Sequence, residues 1–164
     1  MSIVIVYASH TGATQTLAER LAVVLAEMGY AAEAIDVERD PDPATYDAVV
    51  LGSGIRIGKI EKSASTWVSA HRDTLATRPL ALFTCSGGAV DPDNDDPAKI
   101  LAKTASKLPS APVATAAFAG WMLADKLTLA ERAVLKAVGS PMGDFRDLDA
   151  VESWGKTLPA LLGV

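Results

Sequence analysis

The strongest constraint in this chain is the alternation of two periodicities along its length. Short apolar runs at residues 3–7, 48–51, 80–83 and 113–118 are separated by stretches whose apolar residues recur at helical spacing. Ile3-Val4-Ile5-Val6-Tyr7 is continuous and β-branched, the pattern of a strand covered on both faces. Leu17, Leu21, Val24, Leu25 and Met28 form a helical stripe closed by Gly29. Glu33-Ala34-Ile35-Asp36-Val37 alternates polar with apolar, as an edge strand does. Ile60, Ala64, Trp67, Val68, His71 and Leu75 make a second helical stripe. Asp96-Pro97 reads as an N-cap and a first-turn proline that open a helix reaching Leu108. Thr128 with Glu131, and Asp149 with Glu152, read as capping pairs for two more helices. The first of these closes at Gly139, and Pro159 weakens the second near its end.

Strands that alternate with helices require right-handed crossovers and a parallel sheet. The alternating second strand belongs outside, which leaves the first and third as neighbours. The expected fold is therefore α/β: a three-layer, doubly wound, five-stranded parallel sheet in the order 2-1-3-4-5. Ligands of such sheets bind beyond the carboxyl ends of the strands, at the switch point between the first and third. A length of 164 residues suits a single domain over 1–164, and there is no internal repeat. A net charge of −5 and the lack of a basic block argue against nucleic acid as a partner. No apolar run reaches the ~18 residues of a membrane helix, so no integral membrane segment is expected. The lone Cys85 has no bridging partner, and the opening residues do not read as a secretory leader. Both point to a reducing, cytoplasmic setting.

The first strand runs into Ser9-His10-Thr11-Gly12-Ala13-Thr14, at the expected switch point. A helix N-terminus leaves N–H groups unpaired and carries partial positive charge. Gly12 and Ala13 let an anion approach the backbone, and Ser9, Thr11 and Thr14 add hydroxyls. This is a phosphate site made of neutral donors. A nucleoside triphosphate loop needs a lysine and a magnesium-binding hydroxyl after it, and that pattern is missing, so a single phosphate monoester suits better. The competing reading is a plain helix capped by Thr11.

The spacing of this hexapeptide after an N-terminal strand resembles the phosphate loop of the flavodoxin family, Ser/Thr-x-Thr-Gly-x-Thr. The likeness extends along nearly the whole chain. It implies that flavin mononucleotide (FMN) is the cofactor, with Ser9, Thr11, Gly12, Ala13 and Thr14 on its phosphate and His10 contributing backbone. The second loop, "GSGIRIGKIEKSASTWV", resembles the menaquinone-dependent protoporphyrinogen dehydrogenase branch of the flavodoxin-like proteins through Gly52, Ser53, Ile55, Arg56 and Gly58. Gly54 and Ile57 are local choices inside it. Gly143, Asp144, Phe145 and Arg146 resemble endings seen in the same branch. The resemblance sets Gly52, Ser53, Gly54, Ile55, Arg56, Ile57 and Gly58 on one side of the flavin ring. Thr84, Cys85, Ser86, Gly87 and Gly88 fall on the other. The Gly-x-Gly spacing at Gly52 and Gly54 is no dinucleotide fingerprint, because it does not open a helix directly.

Asp91, Asp93, Asp95 and Asp96 follow the third loop. Ala102 stands where a calcium loop needs its last glutamate, so a solvated acidic loop is the better reading. Its charge would lower the flavin potential, and Arg56 facing the ring would oppose that. Neither ring loop holds an aromatic residue, and Ile57 stands where the porphyrin-oxidising relatives tend to have tyrosine. Trp121, in "FAGWMLADKLTLAER", is a candidate for the missing contact; the segment reads as a core-packing connection or as a substrate lid. Cys85 reads as a small buried residue, His71 as a satisfied, partly buried histidine, and Lys99, Lys103 and Lys107 as a solvated face. No pair of side chains announces a general base, so catalytic residues stay unassigned and no metal is expected. The resemblance implies an FMN-dependent oxidoreductase of heme biosynthesis, taking porphyrinogen to a quinone or another acceptor. A flavodoxin-type electron carrier with a redox protein partner is the alternative, and a flavin-free interaction module is a third.

Overall fold

In the computed structural model, which describes residues 1–164, the elements follow in the order β1 (Ser2–Ala8), α1 (Ala13–Glu27), β2 (Ala31–Asp36), β3 (Ala48–Arg56), β4 (Lys59–Ile60), α2 (Lys62–Ala70), α3 (Arg72–Leu75), β5 (Leu80–Ser86), α4 (Asp96–Ala105), β6 (Ala114–Ala119), β7 (Trp121–Met122), α5 (Leu129–Ala137), β8 (Gly143–Asp144) and α6 (Leu148–Leu162). Five strands form a parallel sheet in the order β2-β1-β3-β5-β6, the expected arrangement. Two short additions are antiparallel: β4 folds back on β3, and β7 pairs with β8. No helix is long and apolar enough to cross a membrane.

Side chains of a strand alternate between the two faces, and here each face has its own core. Ile3, Ile5 and Tyr7 join Val50, Phe83 and Phe118 against α1 and α6. Val4, Val6 and Ala8 join Val49, Leu51 and Leu82 against Trp67, Val68 and Leu101 of α2 and α4. Phe83, Phe118 and Trp154 meet with ring centroids 5.7–6.1 Å apart. On the other face, the Trp67 Nε1–H donates to the Pro41 carbonyl at 3.1 Å, which frees the indole to be buried.

Several boundaries differ from the sequence reading, each for a packing reason. The apolar run 48–51 is only the first part of β3, which continues through Gly52 to Arg56. Gly52 lies in register with Phe83, whose ring occupies the space a Cβ would need. The glycine is there for room and not for a turn. The helical stripe over 60–75 breaks at His71, whose Nε2 lies 2.7 Å from Asp40 Oδ1. Asp95 rather than Asp96 stands at the N-cap of α4 and makes no capping bond, and the helix ends at Ala105, short of Leu108. Asp147, and not Asp149, caps α6 by accepting from the Ala150 N–H. Pro159 does not weaken that helix visibly. Leu158, Pro159 and Leu162 are all buried, so tertiary packing outweighs the hydrogen bond a proline removes.

Substituting Gly52→Ala is expected to destabilise the fold by about 1–3 kcal/mol, because the added methyl must displace Phe83 from a packed core. Urea unfolding of the two proteins would measure it; an unchanged midpoint would contradict the close approach.

Candidate functional site

The carboxyl ends of β1, β3 and β5 meet at the switch in strand order, where β2 and β3 lie on opposite sides of β1. The loop from Ser9 to Gly12 joins β1 to α1 there. Gly12, with φ of 92°, is the N-cap of α1, so Thr11 is not the cap. A left-handed residue at this point favours glycine and aims the following N–H groups outward along the helix axis. The helix has no side-chain cap and no acidic residue in its first turn. Only the Thr16 N–H finds a carbonyl, that of Gly12, which leaves the N–H groups of Ala13, Thr14 and Gln15 without partners. Ser9 Oγ accepts from the Gly12 N–H at 3.0 Å and keeps its own O–H free to donate. Thr14 is 2% exposed, with its hydroxyl near Cys85 and Gly54. The donor set is neutral and electropositive, which fits a phosphate.

The second loop is a hairpin. Gly52, Ser53, Gly54, Ile55 and Arg56 lie in β3, and Ile57-Gly58 form the turn into β4. Ser53 is fully buried; its hydroxyl donates to the Gly54 carbonyl and accepts from the Glu61 N–H, which fixes the base of the hairpin. Ile57 and Gly58 both have positive φ, 50° and 69°, as a two-residue hairpin turn requires. That conformation strains a β-branched residue, and Ile57 is also 95% exposed. In the third loop Thr84, Cys85 and Ser86 end β5, and Gly87 and Gly88 enter a 3-10 turn. Burial raises the Cys85 thiol to about 11, against weaker opposition from the Thr14 hydroxyl and Arg146. It is a packed thiol and not a reactive one.

The segment after β6 folds back over these loops. Trp121 Nε1–H donates to the Thr11 carbonyl at 3.0 Å, and its ring covers Gly12. Met122 packs against Gly87, filling the space of the missing side chain. Arg146 stacks on Trp121, 4.3 Å from the ring centroid, and donates to Thr16 Oγ1 at 2.9 Å. Asp144 holds that guanidinium through both carboxylate oxygens, at 2.8 and 2.6 Å, which depresses the Asp144 carboxyl and raises Arg146. A cation absent from the Ser9–Thr14 loop in sequence is thus brought to the first turn of α1 by tertiary structure.

Glu131 ties three parts together. Its Oε1 lies 2.7 Å from His10 Nε2 and 2.9 Å from Arg56 Nη2, so it joins the first and second loops to α5. Its Oε2 accepts from the Thr128 N–H and hydroxyl, and the Glu131 N–H donates back to Thr128 Oγ1, completing the expected capping box. The Thr128 backbone bond and then the His10 contact hold the Glu131 carboxyl at about 2, below its ordinary 4.5. His10 therefore presents its side chain to Glu131 as well as its backbone to the loop. Arg56 is paired with Glu131, so its charge is compensated locally. The sequence reading found Trp121 as a candidate and Thr128–Glu131 as a cap. It did not place Glu131 or Arg146 at the site, and the only hints were that capping box and the stretch from Gly143 to Arg146.

A flavodoxin-domain family model matches residues 4–149. Protoporphyrinogen IX dehydrogenase [quinone] of Escherichia coli strain K12 is 30% identical over 99 residues, 59% of this chain and 55% of that protein. The match thus spans about half the length of the curated relative. Among solved structures, oxidised Flavodoxin 1 from Bacillus cereus superposes with a TM-score of 0.63 at 19% identity, covering 95% of each chain. A flavodoxin from the domain Archaea gives 0.64 at 14% identity over 100% of both chains. A flavodiiron core from Synechocystis gives 0.65 at 16% identity, over 99% of this chain and 36% of that one. At these identities the likeness is one of fold.

Two expectations follow from the geometry. Because the folded-state carboxyl of Glu131 is depressed, its stabilising effect is present above its ordinary 4.5 and disappears as the pH falls toward 2. Glu131→Gln keeps a capping-box acceptor but loses the charge, so the stability gap to the unsubstituted protein should be present at neutral pH and shrink through that acidic window in urea melts. Ile57→Asn relieves a left-handed β-branched residue and should raise stability by about 1 kcal/mol; a lower unfolding midpoint would show that the turn is not strained.

Proposed function

Since the chain belongs to the flavodoxin family, we propose that it binds FMN across the carboxyl ends of β1, β3 and β5 and acts as an FMN-dependent oxidoreductase. The observation that carries this reading is the open N-terminus of α1, with three unpartnered N–H groups and no carboxylate in its first turn. Ser9, Thr11 and Thr14, with the backbone of His10, Gly12 and Ala13, would hold the phosphate. Residues 52–58 and 84–88 would flank the ring. When bound, the flavin supplies the exchange of one or two electrons. The chain's own residues bind, orient and exclude water. Trp121 and Met122 cover the first and third loops, while Glu131 fixes His10 and Arg56 relative to each other. Ile57 offers an apolar surface at the hairpin tip, where flavin or a bulky substrate would meet it.

The name of the Escherichia coli relative supports a porphyrinogen as donor and a quinone as acceptor, and we carry that pair to this chain as the first to test. A second reading, an electron carrier with no substrate of its own, is favoured by the exposed Asp91, Asp93, Asp95 and Asp96 beside the third loop, which suit docking to a redox protein. The purified protein would be mixed with FMN, washed and followed by visible absorbance. Retained flavin that bleaches under protoporphyrinogen and recovers on adding a quinone supports the enzyme. Retained flavin indifferent to porphyrinogen but reoxidised by a redox protein supports the carrier. A colourless washed protein refutes both.

Thr11→Val removes one hydroxyl while keeping the β-branched shape. A hydrogen bond to a charged group contributes ~1.5–3 kcal/mol, so FMN affinity should fall by about 10- to 100-fold. Quenching of flavin fluorescence measures it, with circular dichroism checking that the fold is unchanged.

A further inference from the structure

A groove of about 530 Å³ runs between α2 and α4, away from the phosphate loop. Five cationic side chains line it: Lys59, Lys62 and Arg72 from one wall, Lys103 and Lys107 from the other. No carboxylate does. None of the five forms an ion pair; Lys99, one turn from Lys103 but outside the groove, is paired with Asp95. The chain carries 20 acidic against 15 basic residues, so this gathering of one sign runs against its composition.

Helix electrostatics account for only part of it. Lys103 lies in the last turn of α4 and Lys107 just beyond, where the dipole favours cations. Lys62 is the first residue of α2, where the dipole disfavours one. Lysines four residues apart, as Lys103 and Lys107 are, also repel. Between the cationic walls the floor is apolar: Val68 is buried, and Ile60, Ile100 and Leu108 are half-buried. Concavity with an apolar floor is an attribute of a small-molecule site, and the volume is in the usual range for one; the cations along the walls set the charge such a molecule would need.

We propose that this groove binds a small organic anion bearing two or more negative charges, as phosphate or carboxylate, on an apolar frame. The charges would bridge the two cationic walls, and the frame would cover Ile60, Val68, Ile100 and Leu108. The Gly58-Lys59-Ile60 stretch connects the groove to the second loop, so its occupant lies beside that hairpin. The inference does not depend on flavin binding.

The test is an amide NMR titration of the full chain with three probes: naphthyl phosphate, naphthalene dicarboxylate and inorganic pyrophosphate. Saturable shifts at Ile60, Ser65, Ser69 and Thr104 are expected with a naphthalene probe, which should bind at least about tenfold more tightly than pyrophosphate because it covers the floor. Whichever naphthalene probe binds more tightly assigns phosphate or carboxylate. The Lys103→Glu/Lys107→Glu double variant should weaken binding by about tenfold or more, while Lys99→Glu, on the same helix and outside the groove, should not. The proposal is overturned by any of four results: no saturable shift in the groove, shifts confined to residues 9–14 and 52–57, equal weakening by Lys99→Glu, or saturable binding only of a polyglutamate peptide, which would mark a protein-docking face.

Discussion

The structure depends on β1 being buried on both faces. Ile3, Val4, Ile5 and Val6 have no exposed surface at all. A strand in that position needs a helical layer on each side, and the connections leaving β1 and its neighbour β3 reach opposite faces of the sheet, through α1 and α2. α1 packs on one face with α6, close enough that Gly155 touches Leu21 and Val24, while α2 and α4 cover the other. The two crossovers diverge beyond β1 and leave a crevice. The first turn of α1 opens into that crevice, and the fold itself leaves its N–H groups unpaired.

What covers the crevice is polar in its attachments. α5 has no buried residue, and Leu129, Val134 and Val138 are 62–79% exposed. The segment from Gly120 to Asp147 is held to the first and second loops by the Trp121 indole N–H and the Glu131 carboxylate, and to the first turn of α1 by the Arg146 guanidinium. Part-exposed contacts of this kind are weaker than core packing, so the covering segment is the least firmly held part of the site. Trp121 is its anchor, because it alone combines a backbone hydrogen bond, contact with the core and a stacked cation.

Charge is distributed with the same economy. Cations near the crevice are matched to carboxylates, Arg56 with Glu131 and Arg146 with Asp144. Loop acids at Asp91, Asp93, Asp95 and Asp96 stay exposed, with only Asp95 paired, to Lys99. With Arg56 compensated, the acidic loop is left as the larger uncompensated charge beside the third loop, and its effect on a bound flavin would be to disfavour added negative charge.

The sheet order, the layer arrangement and the glycine-led start of α1 were legible from residue order alone, because periodicity records which faces are covered and a strand-glycine-helix junction is a local event. Ile3 through Tyr7 announce double-sided burial, and Ser9 through Thr14 announce an open helix start, without reference to any distant residue. The role of Gly52 was not legible. It resembles a turn glycine, and only the arrival of Phe83 from the neighbouring strand makes it a space-filling necessity. Glu131 read as a helix cap, which it is, but its second oxygen finds His10 and Arg56 across more than seventy residues of chain. Arg146 reaches the first turn of α1 by the same kind of long-range closure. The sequence by itself determined the order of the five parallel strands and the open start of α1, whose causes act between near neighbours. Tertiary structure alone decided which side chains cover that site and which charges meet there, because those contacts exist only once the segment after β6 has folded back over the sheet.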